Sequence, residues 1–221
     1  VRPEIKNCPM TETEKKAVGR YLDWHTGILL ETDGKMGIYR KESGKLIYKE
    51  KADSEDGYLG MYLFLMGKYL EKTESTDLPE YWKKGISLAL KKIQSLMQDG
   101  ITQVSEENTT VYLMDNLEVW KGLYELEHAG LKDVQAIREM RNKLQAQIEK
   151  LFWDDANQRW RIIENSDLYH QKEFYPDGVA QIYPLIYEFP VKEKKKQKIL
   201  YKQFTERFQW QKLNKKRNGF L

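Results

Sequence analysis

Three short segments set carboxylates at the threshold of an apolar run: Asp53-Ser54-Glu55-Asp56-Gly57-Tyr58, Met114-Asp115-Asn116-Leu117-Glu118-Val119 and Tyr175-Pro176-Asp177-Gly178-Val179-Ala180-Gln181. Neighbouring carboxylates suit general acid and base chemistry. One that keeps its proton can protonate a leaving oxygen, while one that has lost it can activate water or attack carbon, as glycoside cleavage requires. Crowded like charges raise the pKa of one member and so supply the protonated partner. The same residues also have a structural use. Asp53 with Asp56, and Asp115 with Glu118, have N-cap and N3 spacing, where carboxylates satisfy free helix amides and the helix dipole. Capping explains any one segment taken alone. Three of them ahead of three buried helices point instead to a shared mouth, if those helices run parallel.

The elements that must position these acids follow from periodicity. A first helix is expected from Thr11 to about Trp24, with Thr11 or Thr13 as its cap. From Gly27 to Lys49 short apolar runs, including Ile28-Leu29-Leu30, are separated by Asp33-Gly34 and Ser43-Gly44, which read as hairpin turns. Tyr58–Leu70 is apolar nearly all round and reads as an inner helix, whereas Glu80–Gln98 is amphipathic and reads as an outer one. The alternation returns twice. Leu117–Leu126 is inner and Leu131–Leu151 outer; then Gly178–Phe189 is inner, with Pro184 expected to kink or shorten it, and Lys192–Trp210 is outer. An extended stretch from Ile101 to Thr110 and a hairpin around Asp154–Arg159 lie between them. The Lys-rich run Lys192–Lys198 reads as solvated helix surface. The pattern repeats at roughly 60-residue intervals, longer than common solenoid repeats, which leaves long loops for a working rim.

Composition narrows the chemistry. The 37 basic and 34 acidic side chains nearly cancel, so there is no general field for a nucleic-acid backbone and no nucleic-acid partner is expected. One cysteine, Cys8, excludes an internal disulfide framework and a cysteine zinc cluster. His25, His128 and His170 lack the i, i+4 ligand spacing of a zinc helix, and no metal or organic cofactor is expected. Phosphate-loop, dinucleotide and Gly-x-Ser-x-Gly signatures are absent. No apolar run approaches the roughly 20 residues of a membrane span. A start at Val1 suits removal of an upstream segment and favours an extracellular or cell-surface location over a cytoplasmic one. Six Trp and fourteen Tyr suit surfaces that stack on sugar rings. Tyr58, Tyr112, Asn116, Glu118, Trp24, His25, Tyr175 and Gln181 are the candidate substrate-binding residues, with His170 a further loop candidate.

In this order, and each before a hydrophobic helix, the motifs DSEDGY, YLMDNLEVWKGL and FYPDGVAQIYPL resemble those of bacterial six-hairpin glycosidase-superfamily proteins. The resemblance covers roughly residues 11 to 210. It implies a mainly α fold, an (α/α) toroid of inner and outer helices with short β-hairpins in the rim loops. It also implies a hydrolase of glycosidic bonds, or a related polysaccharide-processing enzyme, acting on an oligo- or polysaccharide without a cofactor. By motif position, Asp53, Asp56, Asp115 and Asp177 are the catalytic candidates, without an assignment of acid and base. A full six-hairpin ring has twelve helices, and about seven are counted over residues 1–221, so one domain forming a partial ring is expected. Two other readings of the same residues stay open: a non-catalytic helical-repeat module that binds glycan or protein, with the acids as caps, and an epimerase or lyase on the same scaffold.

Overall fold

The computed structural model describes residues 9–75, 77–164, 173–190 and 194–208. Within them the chain forms helix α1 (Glu12–Glu31), the hairpin β1 (Gly37–Glu42) and β2 (Lys45–Lys51), and helices α2 (Glu55–Thr73) and α3 (Glu80–Leu96). Next come hairpin β3 (Met97–Gln98) and β4 (Ile101–Thr102), helices α4 (Leu113–Glu127) and α5 (Gln135–Phe152), and hairpin β5 (Trp153–Asp154) and β6 (Arg159–Trp160). A π-helical turn, Phe174–Gly178, leads into α6 (Val179–Ile186), and α7 (Lys194–Phe208) follows. The three two-stranded hairpins are all antiparallel. This is a mainly α protein, an arc of alternating inner and outer helices with short hairpins at the rim, as the periodicity predicts.

Inner helices α2 and α4 lie backbone against backbone because glycine lines their contact. A Cβ on Gly60 would come within 2.6 Å of the Val119 amide nitrogen, one on Gly67 within 2.6 Å of the Glu125 carbonyl carbon, and one on Gly122 would strike the Gly60 carbonyl. The matched positions rise together along both helices, so α2 and α4 run parallel. Helix α6 joins in the same sense, with Tyr183 at Glu118 and, just past the helix end, Glu188 at Lys121 and Phe189 at Trp120. The outer helices run the other way. Arg141 and Arg138 of α5 reach back to Glu127 at the end of α4 at 2.7 and 2.8 Å, and Trp82 near the start of α3 meets Tyr69 near the end of α2. All three inner-helix N-termini therefore open on one end of the arc. Helices α2 and α4 bury both flanks, with Leu59, Leu63, Met66, Leu70, Leu117, Trp120 and Leu123 at the core, whereas α6 buries only Ala180 and Pro184 and exposes Ile186, less than its all-round apolar sequence predicts.

Two rim hairpins repeat one lock. Thr102, the last residue of β4, donates its amide to Asn116 Oδ1 at 2.8 Å and accepts from Asn116 Nδ2 at 2.9 Å. Trp160, the last residue of β6, donates its amide to Gln181 Oε1 at 2.9 Å and accepts from Gln181 Nε2 at 2.9 Å. In each case a side-chain amide in the first turns of an inner helix pairs with the preceding hairpin as a strand would, satisfying backbone groups that the short strand leaves open.

Several boundaries differ from expectation. Helix α1 runs on to Glu31 and absorbs Ile28-Leu29-Leu30, because Leu22 and Leu29, two turns apart, share one fully buried face. Asp33 and Gly34, at φ 52° and 80°, end that helix, while Ser43 and Gly44, at 48° and 80°, turn the β1–β2 hairpin. Thr11 caps α1, accepting from the Glu14 amide at 3.2 Å as Glu14 Oε2 accepts from the Thr11 amide at 2.8 Å. Helix α6 stops at Ile186, short of Phe189, with Pro184 inside it. The acids do not cap as their spacing predicts: Ser54 is the α2 N-cap, and the α4 N-cap is Tyr112, which makes no side-chain cap bond.

The glycine contact gives a stability prediction. Gly122→Ala should cost more than about 2 kcal/mol, since only backbone could yield and overpacking of this kind typically costs roughly 1–3 kcal/mol. Gly27→Ala, in a helix interior with nothing within 4 Å of the added carbon, should be neutral or gain up to about 1 kcal/mol. Urea denaturation of both variants checks this, and equal midpoints would refute the close approach.

Candidate active site

Ser54, Asp56 and Gly57 open α2, Asp115 and Glu118 lie in the first turns of α4, and Tyr183 comes from α6. Asp56 is the most deeply set. Ser54 Oγ donates to its Oδ1 at 2.9 Å, and the Thr102 hydroxyl stands 2.7 Å from its Oδ2 and 2.8 Å from Asn116 Oδ1, one hydrogen shared between two acceptors. Burial raises its pKa while these bonds oppose the rise. Asp56, Thr102 and Asn116 thus tie the β3–β4 hairpin to the starts of both inner helices, and the Val104 carbonyl, accepting from the Glu55 amide at 2.9 Å, adds a fourth tie.

Asp115 and Glu118 are half-buried beside this knot. Burial and then the charge of Asp56 push Asp115 up to about 7, with Glu118 and Asp53 adding to the rise and a hydrogen bond with Ser54 working against it. Glu118 also rises to about 7, by burial first, then through Asp56 and Asp53. What distinguishes the two is their donors. Tyr183 Oη donates to Glu118 Oε1 at 3.2 Å, and Tyr187, one turn on, adds a second hydroxyl beside the same carboxylate. Near the acid, burial and then the charge of Glu118 push Tyr183 up to about 12. Gly57 provides the space, because a Cβ there would sit 2.7 Å from Glu118 Oε2 and 2.7 Å from Ser54 Oγ. The glycine after Asp56 in the first motif is therefore part of the Glu118 site.

The remaining candidates divide by position. Asp53 is exposed at the rim, within electrostatic reach of Asp115, Glu118 and Tyr58. Tyr58 is exposed above the same mouth, and Tyr175 is exposed with its hydroxyl in reach of Tyr183. Tyr112 contributes its carbonyl, which accepts from Asn116 Nδ2 at 2.9 Å. Asn116 and Gln181 spend their amides on the two hairpin locks. Trp24 is half-buried between Tyr21 and Tyr39, and His25 is buried against Tyr62, its pKa lowered by burial to about 4. Asp177 lies, with Oδ2 making no hydrogen bond, in a cavity of about 530 Å³ between the π-helical turn and α7, lined also by Arg159, Gln203, Glu206, Arg207 and Phe208. His170 lies outside the described residues. Among the described residues no His, Cys, Asp or Glu group is arranged to hold a metal ion, and no helix is long and apolar enough to cross a membrane.

Sequence reasoning missed Ser54, Thr102, Tyr183 and Tyr187. The i, i+4 spacing of the two tyrosines in GVAQIYPLIYEF was a usable signal, since it puts both hydroxyls on one helix face. Nothing in the extended stretch marked Thr102.

Among solved structures the chain is similar to a rhamnosidase from Klebsiella oxytoca with rhamnose bound, with a TM-score of 0.53 and 10% identity, over 80% of this chain and 35% of the rhamnosidase. The likeness is one of fold, and the chain spans about a third of that enzyme's length. No protein-family model matches the chain, and no curated protein matches it in sequence.

Two predictions follow from the acids. Their pKa values are raised on folding, so the folded state holds more protons than the unfolded chain between about pH 4 and 7. Their contribution to stability is full below the ordinary carboxylate range and is lost as pH rises through about 7. Asp115→Asn should therefore be more stable than wild type at pH 8, by roughly 1–2 kcal/mol, with the advantage gone at pH 4; thermal melts across that range test the slope. Tyr183→Phe, which removes a donor to the carboxylate, should raise the Glu118 pKa further, read by carboxyl-carbon NMR titration.

Proposed function

We propose that residues 1–221 form one domain of the six-hairpin (α/α) glycosidase type. It hydrolyses a glycosidic bond of an oligo- or polysaccharide, with Asp115 as the proton donor and Glu118 as the base. The carrying observation is two carboxylates, three residues apart on one inner helix, both pushed to about neutral pKa while only one of them accepts a tyrosine hydroxyl. Asp115, beside Asp56, Glu118 and Asp53, keeps its proton and can give it to the glycosidic oxygen. Glu118, steadied as an anion by Tyr183 and Tyr187, can take a proton from water or attack the sugar carbon. Asp56 holds the mouth together from below, and Asp53, Tyr58 and Tyr175 stand where a sugar would enter. The rhamnose bound by the structural neighbour makes a rhamnoside the natural first probe.

The test is release of nitrophenol from a p-nitrophenyl rhamnoside and a panel of other nitrophenyl glycosides. Wild type should turn over at least one, with a bell-shaped pH profile centred near neutrality. Asp115→Asn and Glu118→Gln should each lower kcat by 100-fold or more, in the range general acid–base groups supply. Sugar binding without turnover in wild type would reassign the mouth to recognition alone. Full activity in both variants would remove these two residues from the mechanism.

A further inference from the structure

A row of aromatic rings leads away from the acidic mouth, and no role assigned so far uses most of it. Tyr58 is exposed at the mouth, with its hydroxyl in electrostatic reach of Asp53, Tyr21 and Glu118. From Tyr21 the rings continue to Trp24 at a centroid distance of 5.4 Å, from Trp24 to Tyr39 at 5.8 Å, and from Tyr39 to Tyr48 at 5.6 Å. The row thus crosses from α2 over α1 to the β1–β2 hairpin. Tyr58, Tyr21 and Tyr48 are 37%, 48% and 52% exposed, while Trp24 and Tyr39 are half-buried between them and brace the outer rings.

The chemistry of the row selects its ligand. Every member is Tyr or Trp, and the exposed Tyr58, Tyr21 and Tyr48 can offer apolar surface to the C–H side of a sugar ring and hydroxyls that bond sugar hydroxyls. Asp53 lies within electrostatic reach of Tyr58 at one end, and Glu31 within reach of Tyr39 near the other. Lys35, Lys51 and Lys92 stand with Glu55, Glu106 and Glu107 around the cavity that Tyr39 and Tyr48 line, and Lys51 is paired with Glu107 at 2.5 Å. Acids and lysines thus balance along the path, which gives an anionic polymer no attracting field and suits an uncharged one.

We propose that Tyr58, Tyr21, Trp24, Tyr39 and Tyr48 form a track for an extended, uncharged glycan chain, whose end or internal linkage reaches the acids while its further sugars lie along α1 and the hairpin. The direction of the track rests on the acidic mouth being a glycoside site. The ligand class is then a polysaccharide or long oligosaccharide, and affinity grows with chain length as each further sugar meets a ring, a contribution of the kind that adds effective concentration without changing the chemistry at the mouth.

Affinity electrophoresis of the full chain tests this, in gels carrying hydroxyethylcellulose, arabinoxylan, galactomannan or, as the anionic control, polygalacturonate. Wild type should be retarded by at least one neutral polymer. The double variant Tyr21→Ala/Tyr48→Ala, which alters two exposed rings and whose fold is checked by circular dichroism, should bind that polymer at least tenfold more weakly. Asp115→Asn should remain retarded. Retarded protein that lacks turnover would sink the hydrolase reading and leave the track standing. Three results would overturn the track: no retardation by any neutral polymer, equal retardation of the double variant, or retardation by polygalacturonate alone. Concentration-dependent self-association that disappears in the double variant would also overturn it, by giving the rings to a second copy of the chain.

Discussion

The closeness of α2 and α4 governs everything at the mouth. Two helices can approach until backbone meets backbone only where a contact position carries no side chain, and here Gly60 and Gly67 of α2 and Gly122 of α4 supply that condition along about two turns. Such an approach fixes rotation as well as distance, because the bare faces must point at each other. Once they do, Gly57 and Asp56 at the head of α2 necessarily face Asp115 and Glu118 at the head of α4. The spacing of the acids is therefore set by backbone contact rather than by flexible packing, which is the kind of support a site with small positional tolerance needs.

That geometry has an energetic cost. Four carboxylates gather at two helix starts, and the molecule offsets the crowding with neutral donors: Ser54 and Thr102 for Asp56, Tyr183 and Tyr187 for Glu118. Among the described residues, the hydrogen bonds to Asp56, Asp115 and Glu118 come from hydroxyl and backbone groups. The cations of the inner face lie further along, where Lys121 and Lys68 both bond Glu125 at 2.7 Å. Hydroxyl donors stabilise an anion without quenching its ability to take a proton, and an ion pair would hold it ionised through the whole working range. The choice of partner keeps two acids close to neutral pH.

Much of this was legible in the chain itself. The inner and outer helices were readable because segments such as YLGMYLFLMGKYL are apolar on every side, which only a protein environment accommodates, and the acidic segments sit where the helices begin. The register between helices was not readable. Gly60 and Gly122 look like ordinary weak points in a helix until the two are seen opposite one another. The caps were misassigned for a related reason: Asp53 and Ser54 are both good capping residues, and the extended turn after β2 selects the serine. Asp177 lies in the π-helical turn before α6 and lines a cavity with residues of α7, a placement that its motif does not announce. Thr102 could not have been found, since a two-residue strand carries no periodicity.

The paired locks at the rim bear on how the chain assembles. Asn116 closes on Thr102 across 14 residues and Gln181 on Trp160 across 21, whereas the glycine contact must span all of α3 and the β3–β4 hairpin, which lie between α2 and α4. Short closures lose little chain entropy and form early. Each hairpin can thus be fastened to the inner helix that follows it before neighbouring inner helices meet, so that the arc grows by adding preassembled units. Native-state hydrogen exchange should then show amides around each lock opening together, as a local unit, with the α2–α4 interface opening as a separate one.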